Sequence, residues 1–544
     1  MIAQADGRPR GRLRGVVGVP DLAGWLPVLG LALLAIVIRA PGIASGSLWL
    51  DELAQVFVAR SPLPAFLEGV RGHLAAAPLD YLGTKLALAT VGRVIPNITF
   101  AAHVWPLICG VATVVATWGL TLELTGRRRA AMAAGLMTAL SGFLVFYSQE
   151  ARPYAMATLM GVVSIWVFAR ATRLDRRRDW LVVGVVAVLS VYTHYFLGLV
   201  LAAEGVALVM VRLVRLVRMA RGQDGLSLAS LRPIAVFVLI GLVTLVAFIP
   251  WYLFATENQL ANPVGYPPVE DLSPERLARL LASLLAAVPR GGVPTGDLWP
   301  DWLLTAAVVA LACVGALGVV RRRPEPGLAL VGFTVSLIPV VWWFDTRSQY
   351  VISERQFIFM IPMVYLLAGA GIDGALTRIG RLLRDRGVAH RLIARGVPIV
   401  LVAALVLASV APLERVYAGT FRPKEDWRSA SALVAKAICP DGHVYTNVTA
   451  DFYYGVTLYA PQLTPRIVYL RLDPPGEYLL DSIKRYPITH HDVIVILVPS
   501  VGVFVPGRGG IGNIAAAMQG KGFSSVSFTD DRIRVLYVPG GCTR

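Results

Sequence analysis

The chain has 544 residues, of which 56% are hydrophobic and 16% are charged, and its mean hydropathy is +0.64. A soluble domain would have trouble staying in solution with this balance, so the composition argues against a soluble enzyme. The net charge of +17 could suggest nucleic-acid binding. Because long apolar runs recur throughout, the basic excess is instead interpreted as topological, as is usual in membrane proteins.

Long apolar segments run through the first 414 residues. A bilayer core about 30 Å thick needs about 20 mostly apolar helical residues to cross it. The first segment follows four arginines, and no small-residue cleavage site precedes Arg39, which predicts an uncleaved anchor. The sequence therefore predicts an α-helical polytopic membrane protein with about 11 transmembrane helices, over 22–38, 100–122, 130–145, 155–168, 180–193, 195–213, 234–250, 302–320, 327–344, 357–372 and 397–413.

The basic residues predict which side of the membrane each loop faces. Arginine clusters such as 127–129 and 321–323 fall in alternate loops, whereas the intervening loops hold far fewer Lys and Arg. Cytoplasmic loops carry the basic excess, so we expect a cytoplasmic N-terminus and a multi-pass protein of the cytoplasmic (inner) membrane. The apolar stretch 79–89 is interpreted as an interfacial helix, because a span there would place the 127–129 cluster outside.

The composition changes near residue 426. Apolar runs shorten to strand length at 443–448, 466–470 and 492–498, which predicts an α/β domain. Eleven spans from a cytoplasmic N-terminus would place this domain on the extracytosolic side. Helical patterns lie between these runs at 429–438, 478–485 and 512–520. We therefore divide the chain into a transmembrane domain, 1–414, with large outer loops at 41–98 and 255–300, and an outer domain, 415–544.

Four cysteines are present. Cys109 and Cys313 lie inside apolar runs, and Cys439 and Cys542 lie in the outer domain. This distribution predicts neither a disulfide scaffold nor a cysteine metal site. Cys439 and Cys542 are the one pair that could be bridged, and the sequence leaves that open.

Polar and ionisable side chains gather on the predicted outer face. Such groups are costly at the edge of a membrane span, so each is a functional candidate. They come from four separate outer segments: Asp51, Glu52 and His73 from the first loop, Glu150, Arg152 and Tyr154 from a short turn, His194 and Tyr195 from the next turn, and Arg355 before the tenth span.

The carboxylates and the guanidiniums in this set suggest two different chemical roles. A carboxylate near the membrane surface can act as general base on an acceptor hydroxyl. A guanidinium binds phosphate bidentately and keeps its charge, so Arg152 and Arg355 are candidates for holding an anionic lipid headgroup. Together these groups would serve sugar transfer from a lipid phosphate, with deprotonation of the incoming hydroxyl and stabilisation of the departing phosphate.

Three motifs carry a resemblance to a known superfamily. They are Leu48-Trp49-Leu50-Asp51-Glu52, His73 with Pro78-Leu79-Asp80-Tyr81, and the run Tyr-Ser-Gln-Glu-Ala-Arg-Pro-Tyr at 147–154. Weaker similarities lie at 193–195, 354–357 and 426–428. The chain resembles the GT-C superfamily of integral membrane glycosyltransferases, in the branch similar to protein O-mannosyltransferases and the lipid A aminoarabinose transferase.

The resemblance implies a role for each motif residue. Asp51 would be the catalytic base of an inverting displacement in which polyprenyl phosphate leaves. The donor would be a polyprenyl-phosphate sugar, and the acceptor an envelope glycan, lipid or protein. The remaining residues would bind donor or acceptor. Glu52, His73 and Glu150 would orient them, and Arg152, Tyr154 and Arg355 would hold the phosphate. His194 and Tyr195, where the resemblance is weaker, would also bind donor or acceptor. The chain departs from the family pattern in having four residues between His73 and Pro78.

Structural interpretations stand beside the functional ones. Asp51 and Glu52 could cap the helix that follows them, Glu150 could pair with Arg152, and His103 fits a satisfied structural histidine. Two other functions stay open, namely glycan transfer from a lipid diphosphate with a divalent metal held by carboxylates, and non-catalytic lipid or sugar transport. The sequence assigns no metal ligands, and the sugar, acceptor, linkage and oligomeric state cannot be read from it.

Overall fold

The computed structural model describes residues 22–72, 77–218, 231–261, 299–348, 354–383, 388–421, 424–446, 451–470, 483, 485–497, 514–529 and 533–543. Most of this chain is helical, and a small sheet lies in the C-terminal part. The helices are α1 Leu22–Arg39, α2 Leu50–Arg60, α3 Leu63–Gly72, α4 Pro78–Val94, α5 Ile98–Thr125, α6 Arg128–Leu140, α7 Gly142–Tyr147, α8 Tyr154–Leu174, α9 Arg177–Thr193, α10 Gly198–Arg218, α11 Arg232–Ala261, α12 Trp299–Arg322, α13 Pro324–Ser348, α14 Ile361–Leu383, α15 Val388–Tyr417, α16 Trp427–Ala437 and α17 Asp451–Tyr459.

Every predicted apolar segment falls on a helix, but the count of eleven spans is not confirmed. Six described helices are long and apolar enough to cross a membrane, and 25–39 forms a shorter apolar helix. The segment 130–145 is broken in two, because Ser141 takes an extended backbone conformation between α6 and α7. The chain is therefore a multi-pass membrane protein whose number of crossings stays a prediction.

Buried Arg39 fixes the C-terminal end of α1. Its guanidinium donates to the carbonyls of Thr138 and Ala139 at 3.0 and 2.9 Å, and to the Ser148 hydroxyl at 3.2 Å. The two carbonyls lie in the last turn of α6, where the helix itself leaves them unpaired. Arg39 therefore holds the turn that follows α7 against the first membrane helix.

The first outer loop folds into α2, α3 and α4. α4 begins with Pro78, whose missing N–H costs nothing in a first helical turn. α4 packs tightly on α5, since a Cβ at Gly83 would lie 2.2 Å from the Trp105 ring. The helix predicted at 79–89 is confirmed and lies outside the six candidate spans.

The C-terminal part contains a five-stranded sheet in the order β2-β1-β3-β5-β4. β1 pairs with β2 and β3 in parallel, and β5 pairs antiparallel with β3 and β4. The predicted α/β class is confirmed, with three strands at the expected places; the β4–β5 hairpin was not predicted. The bounds are β1 Val444–Thr446, β2 Ile467–Tyr469, β3 Val493–Leu497, β4 Ser524–Phe528 and β5 Ile533–Tyr537.

One hydrophobic cluster joins this sheet to the first outer loop. Leu48, Leu53 and Val56 from the loop pack in the same cluster as Trp427 of α16 and Val495 of β3. All five side chains are buried. The C-terminal body and the start of α2 therefore share a core, although the division into two domains at residue 414 stays a prediction.

A disulfide between Cys439 and Cys542 closes the C-terminal body. The bond links the end of α16 to the last residues of the chain across 103 positions. Cross-links that close long loops restrict the unfolded chain, which stabilises the folded state. Cys109 and Cys313 are free.

We predict that Cys542→Ser lowers the stability of the C-terminal body by about 2 to 4 kcal/mol, because the unfolded chain regains its loop freedom. The change is measured by thermal unfolding of the purified full-length protein, in which proteolysis within 427–543 reports the unfolding of the C-terminal body. Cys313→Ser is the matched control and should leave the midpoint unchanged. Equal midpoints for all three proteins would contradict a stabilising bridge.

Candidate active site

Asp51 lies in the first turn of α2, near the start of the first outer loop. Two arginines from distant parts of the chain approach the same atom, Oδ2 of Asp51. Nε of Arg152 lies 3.7 Å from it, and a terminal nitrogen of Arg355 lies 3.6 Å from it. The Asp51 side chain keeps 31% exposure, so the carboxylate stays reachable from outside the fold.

A tyrosine side chain lies beside each of the two guanidinium groups. Arg355 lies over the Tyr154 ring, 5.7 Å from its centroid. Tyr154 and Asp51 raise the pKa of Arg355 above its usual value despite burial. Burial lowers the pKa of Arg152, but Asp51 and Tyr81 outweigh it and raise the pKa well above its usual value. Both guanidiniums therefore stay cationic.

Two guanidiniums approach the Asp51 carboxylate, and the Glu150 carboxylate also lies near Arg152. The Nε atoms of Arg152 and Arg355 are buried and have no hydrogen-bond partner among the described residues. Buried donors are normally paired, so these two N–H groups offer sites for an incoming anion.

Glu52 faces the protein interior and is fully buried. Its Oε1 accepts hydrogen bonds from His103 Nε2 at 2.7 Å and from the Ala151 N–H at 2.8 Å. Its Oε2 accepts from Lys424 Nζ at 3.0 Å and from the Trp49 N–H at 3.3 Å. One carboxylate thus joins α2, α5, the turn at 148–153 and the C-terminal part.

The surroundings of Glu52 hold it ionised. Burial raises the pKa of the carboxyl, but Lys424 and His103 oppose this and lower the pKa to about 2. His103 also contacts the Ile43 carbonyl through Nδ1, at 2.8 Å. His103 therefore occupies a structural position, with both ring nitrogens engaged.

A second buried carboxylate, Asp80, lies beneath the site. Its two oxygens accept from Gln55 Nε2 at 2.7 Å and from Trp105 Nε1 at 3.2 Å. Burial raises the pKa of Asp80 to about 6. Gln55 lies one helical turn after Asp51, so this pair fixes the α2 face that carries Asp51 against α4.

The structure brings most of the candidate residues to one region. Glu150 is buried beside Arg152, and burial together with the Arg152 charge lowers the pKa of His194 to about 4. Tyr195 packs toward α11 instead, where its hydroxyl accepts from Trp251 Nε1 at 3.3 Å. His73 lies outside the described residues, as does most of the outer loop 255–300. The roles predicted for these residues in binding and catalysis stay predictions.

Two residues near the site carried no assignment from the sequence. Tyr81 lies in the quoted Pro78-Leu79-Asp80-Tyr81 motif and shares a hydrogen bond with Arg152, so the motif itself was the available signal. Lys424 is different, because a lone lysine two residues before the Asp426-Trp427-Arg428 motif carries no sequence signal for a buried ion pair.

No group of three or more His, Cys, Asp or Glu side chains that could hold a metal ion occurs in the described part of the chain. Asp51 and Glu52, which a metal-dependent reaction could recruit, point to different surroundings. Asp51 faces Arg152 and Arg355, and Glu52 faces His103 and Lys424.

Comparisons with known proteins concern the fold. Residues 83–254 match the dolichyl-phosphate-mannose-protein mannosyltransferase family. The crystal structure of ArnT from Cupriavidus metallidurans in the apo state is similar at TM-score 0.55 and 13% identity, over 94% of this chain and 98% of that chain. The chain therefore has the fold of ArnT over most of its length. The predicted resemblance is thereby confirmed.

Two further structures are similar at lower scores. ArnT from Cupriavidus metallidurans bound to undecaprenyl phosphate gives a TM-score of 0.51 at 13% identity, over 95% of this chain and 98% of that chain. The oligosaccharyltransferase AglB from Archaeoglobus fulgidus, in complex with an inhibitory peptide and a dolichol-phosphate, gives 0.49 at 14% identity, over 87% and 69%. No curated protein matches the chain.

We predict that Glu52→Gln destabilises the protein by about 3 kcal/mol near neutral pH, because it removes the negative partner of Lys424 and His103. The folded pKa lies below the ordinary value of 4.5, so the carboxylate stabilises the fold above pH 4.5 and less as pH falls toward 2. Thermal unfolding across this range should show the difference from wild type shrinking with acidity. Glu68→Gln, at an exposed site in the same loop, is the control; a difference that grows on acidification would contradict the account.

Proposed function

We propose that the chain is an inverting glycosyltransferase that moves a sugar from a polyprenyl-phosphate donor to a cell-envelope acceptor at the extracytosolic face of the membrane. The observation that carries the proposal is the convergence of Arg152 and Arg355 on Asp51. One site thereby holds a reachable carboxylate and two cationic phosphate ligands. These are the groups that the reaction needs.

The proposed chemistry balances within this set. Asp51 accepts the proton of the acceptor hydroxyl as its oxygen attacks the anomeric carbon from the face opposite the phosphate. The bond between the anomeric carbon and the phosphate oxygen breaks, and the polyprenyl phosphate leaves with the electron pair. Arg152 and Arg355 stabilise the charge on the departing phosphate. Displacement from the opposite face inverts the anomeric centre.

The residues beside Arg152 and Arg355 fit the proposed role of these arginines in phosphate binding. The Tyr154 ring supports the Arg355 guanidinium, and Tyr81 contacts Arg152. An arginine partly removed from water attracts a phosphate more strongly than one in bulk solvent. The name of one similar structure supports the donor class, since ArnT was crystallised with undecaprenyl phosphate.

The disulfide supports an extracytosolic C-terminal body. Disulfides persist in oxidising compartments such as the bacterial periplasm and are rare in the cytosol. Arg428 of that body contacts the loop that carries Asp51, so the site and the Cys439–Cys542 bond lie on the same side. This agrees with the orientation predicted from the arginine clusters.

We predict that Asp51→Asn lowers transfer by about 10² to 10⁴-fold, because the acceptor proton loses its base. The measurement is transfer from radiolabelled polyprenyl-phosphate sugars to envelope acceptors by purified protein, with and without a chelator. The anomeric configuration of the product should be inverted. Glu68→Gln, an exposed carboxyl of the same loop, should leave the rate unchanged.

Each outcome of this assay decides one point. Chelator-insensitive transfer that is lost in Asp51→Asn supports the proposal and names the sugar. Transfer that depends on a divalent ion and on a lipid diphosphate donor would replace it with glycan transfer. Wild-type rates in Asp51→Asn would remove Asp51 as the base, and no transfer from any donor would favour transport.

A further inference from the structure

We infer that the segment 424–428, which leads into the C-terminal body, is a positioning element that sets Asp51 relative to Arg152. The catalytic consequence rests on the proposed function, whereas the structural one stands on the contacts alone. Lys424, Glu425 and Arg428 each bind the backbone or the buried carboxylate of the loop that carries Asp51.

Glu425 holds the first turn of α2. Its Oε2 accepts a hydrogen bond from the Leu50 N–H at 3.1 Å, and its side chain is buried. The first N–H groups of a helix have no partner within the helix, and a negative charge is favourable there. Leu50 immediately precedes Asp51. Glu425, which belongs to the C-terminal part of the chain, therefore fixes the backbone next to the proposed base.

Lys424 links the two halves of the site. Its Nζ lies 3.0 Å from Oε2 of Glu52 and 3.4 Å from the carbonyl of Gln149. Glu52 is next to Asp51 on α2, and Gln149 lies in the turn that carries Arg152. The Lys424 ammonium group therefore links the start of α2, which carries the proposed base Asp51, to the turn that carries Arg152, a proposed phosphate ligand.

Arg428 and Tyr459 hold the chain just before α2. Arg428 donates to the carbonyls of Ser45 and Gly46 at 3.2 and 2.9 Å. The Leu48 N–H donates to the Tyr459 hydroxyl at 2.9 Å. With Trp427 in the shared core, the approach to Asp51 is bound along its length by residues of the C-terminal part.

Misplacing a catalytic group by about 1 Å can cost about 100-fold in rate. Loss of the Lys424 contacts would leave α2 and the turn at 148–153 joined through Glu52 by the Ala151 N–H, a weaker link that permits small displacements, while Arg152 and Arg355 remain. We therefore expect Lys424→Ala to lower kcat by about 10- to 100-fold and to change the donor KM far less.

The test compares Lys424→Ala, Lys424→Arg and the control Lys436→Ala in full-length protein. Lys436 is an exposed lysine of α16, and its loss should change nothing. Lys424→Arg keeps the cation and should recover most of kcat. In an Asp51→Asn background, Lys424→Ala should cause little further loss, because the residue acts through Asp51. An equal loss in both backgrounds, or a change confined to KM, would overturn the inference.

Hydrogen exchange separates failure of this inference from failure of the proposed function. The N–H of Leu50 is held by Glu425, so Glu425→Ala should speed exchange in the peptide 45–56, while Glu425→Gln, which keeps an acceptor oxygen, should speed it less. Unchanged exchange in Glu425→Ala would overturn the positioning role even if the protein transfers sugar. If Glu425→Ala exchanges faster but the wild-type protein transfers no sugar from any donor, the positioning role stands and the proposed chemistry is refuted.

Discussion

The burial of Glu52 is the constraint on which the outer face of this protein depends. A carboxylate removed from water is very costly unless it is paired and hydrogen-bonded. Glu52 meets this requirement with four donors, the His103 ring, the Lys424 ammonium and the N–H groups of Ala151 and Trp49. The donors come from four segments, so none of these segments can move far without leaving a buried charge unpaired.

The acidic pair at the start of α2 performs two different tasks. Successive residues of an α-helix point about 100° apart, which follows from 3.6 residues per turn. Glu52 is thereby directed into the core, and Asp51 is directed toward Arg152 and Arg355 at the mouth of the loop. The sequence interpretations of capping and of chemistry are compatible, since Glu52 accepts from the Trp49 N–H at the helix start while Asp51 stays reachable.

Sequence patterns were sufficient for the local elements and for much of the site. Uninterrupted apolar runs predicted where helices form, and the predicted topology placed Asp51, Arg152 and Tyr154 on one face of the membrane. Long-range pairings could not be read, because Lys424 meets Glu52 across 372 positions. The β4–β5 hairpin was missed, and its first strand, β4, is only partly buried and rich in serine. The count of eleven spans is not confirmed, and the predicted segment 130–145 is divided at Ser141. The bridge between Cys439 and Cys542, left open by the sequence, is formed.

Arg152 and Arg355 are proposed to bind a phosphate while Asp51 acts as the base, and binding of a polyprenyl phosphate without a sugar separates these two roles. Asp51→Asn removes a negative charge from between the guanidiniums, so it should bind this lipid at least as tightly as wild type. Arg355→Gln should bind it about tenfold more weakly. Weaker binding by Asp51→Asn, together with unchanged binding by Arg355→Gln, would contradict the account.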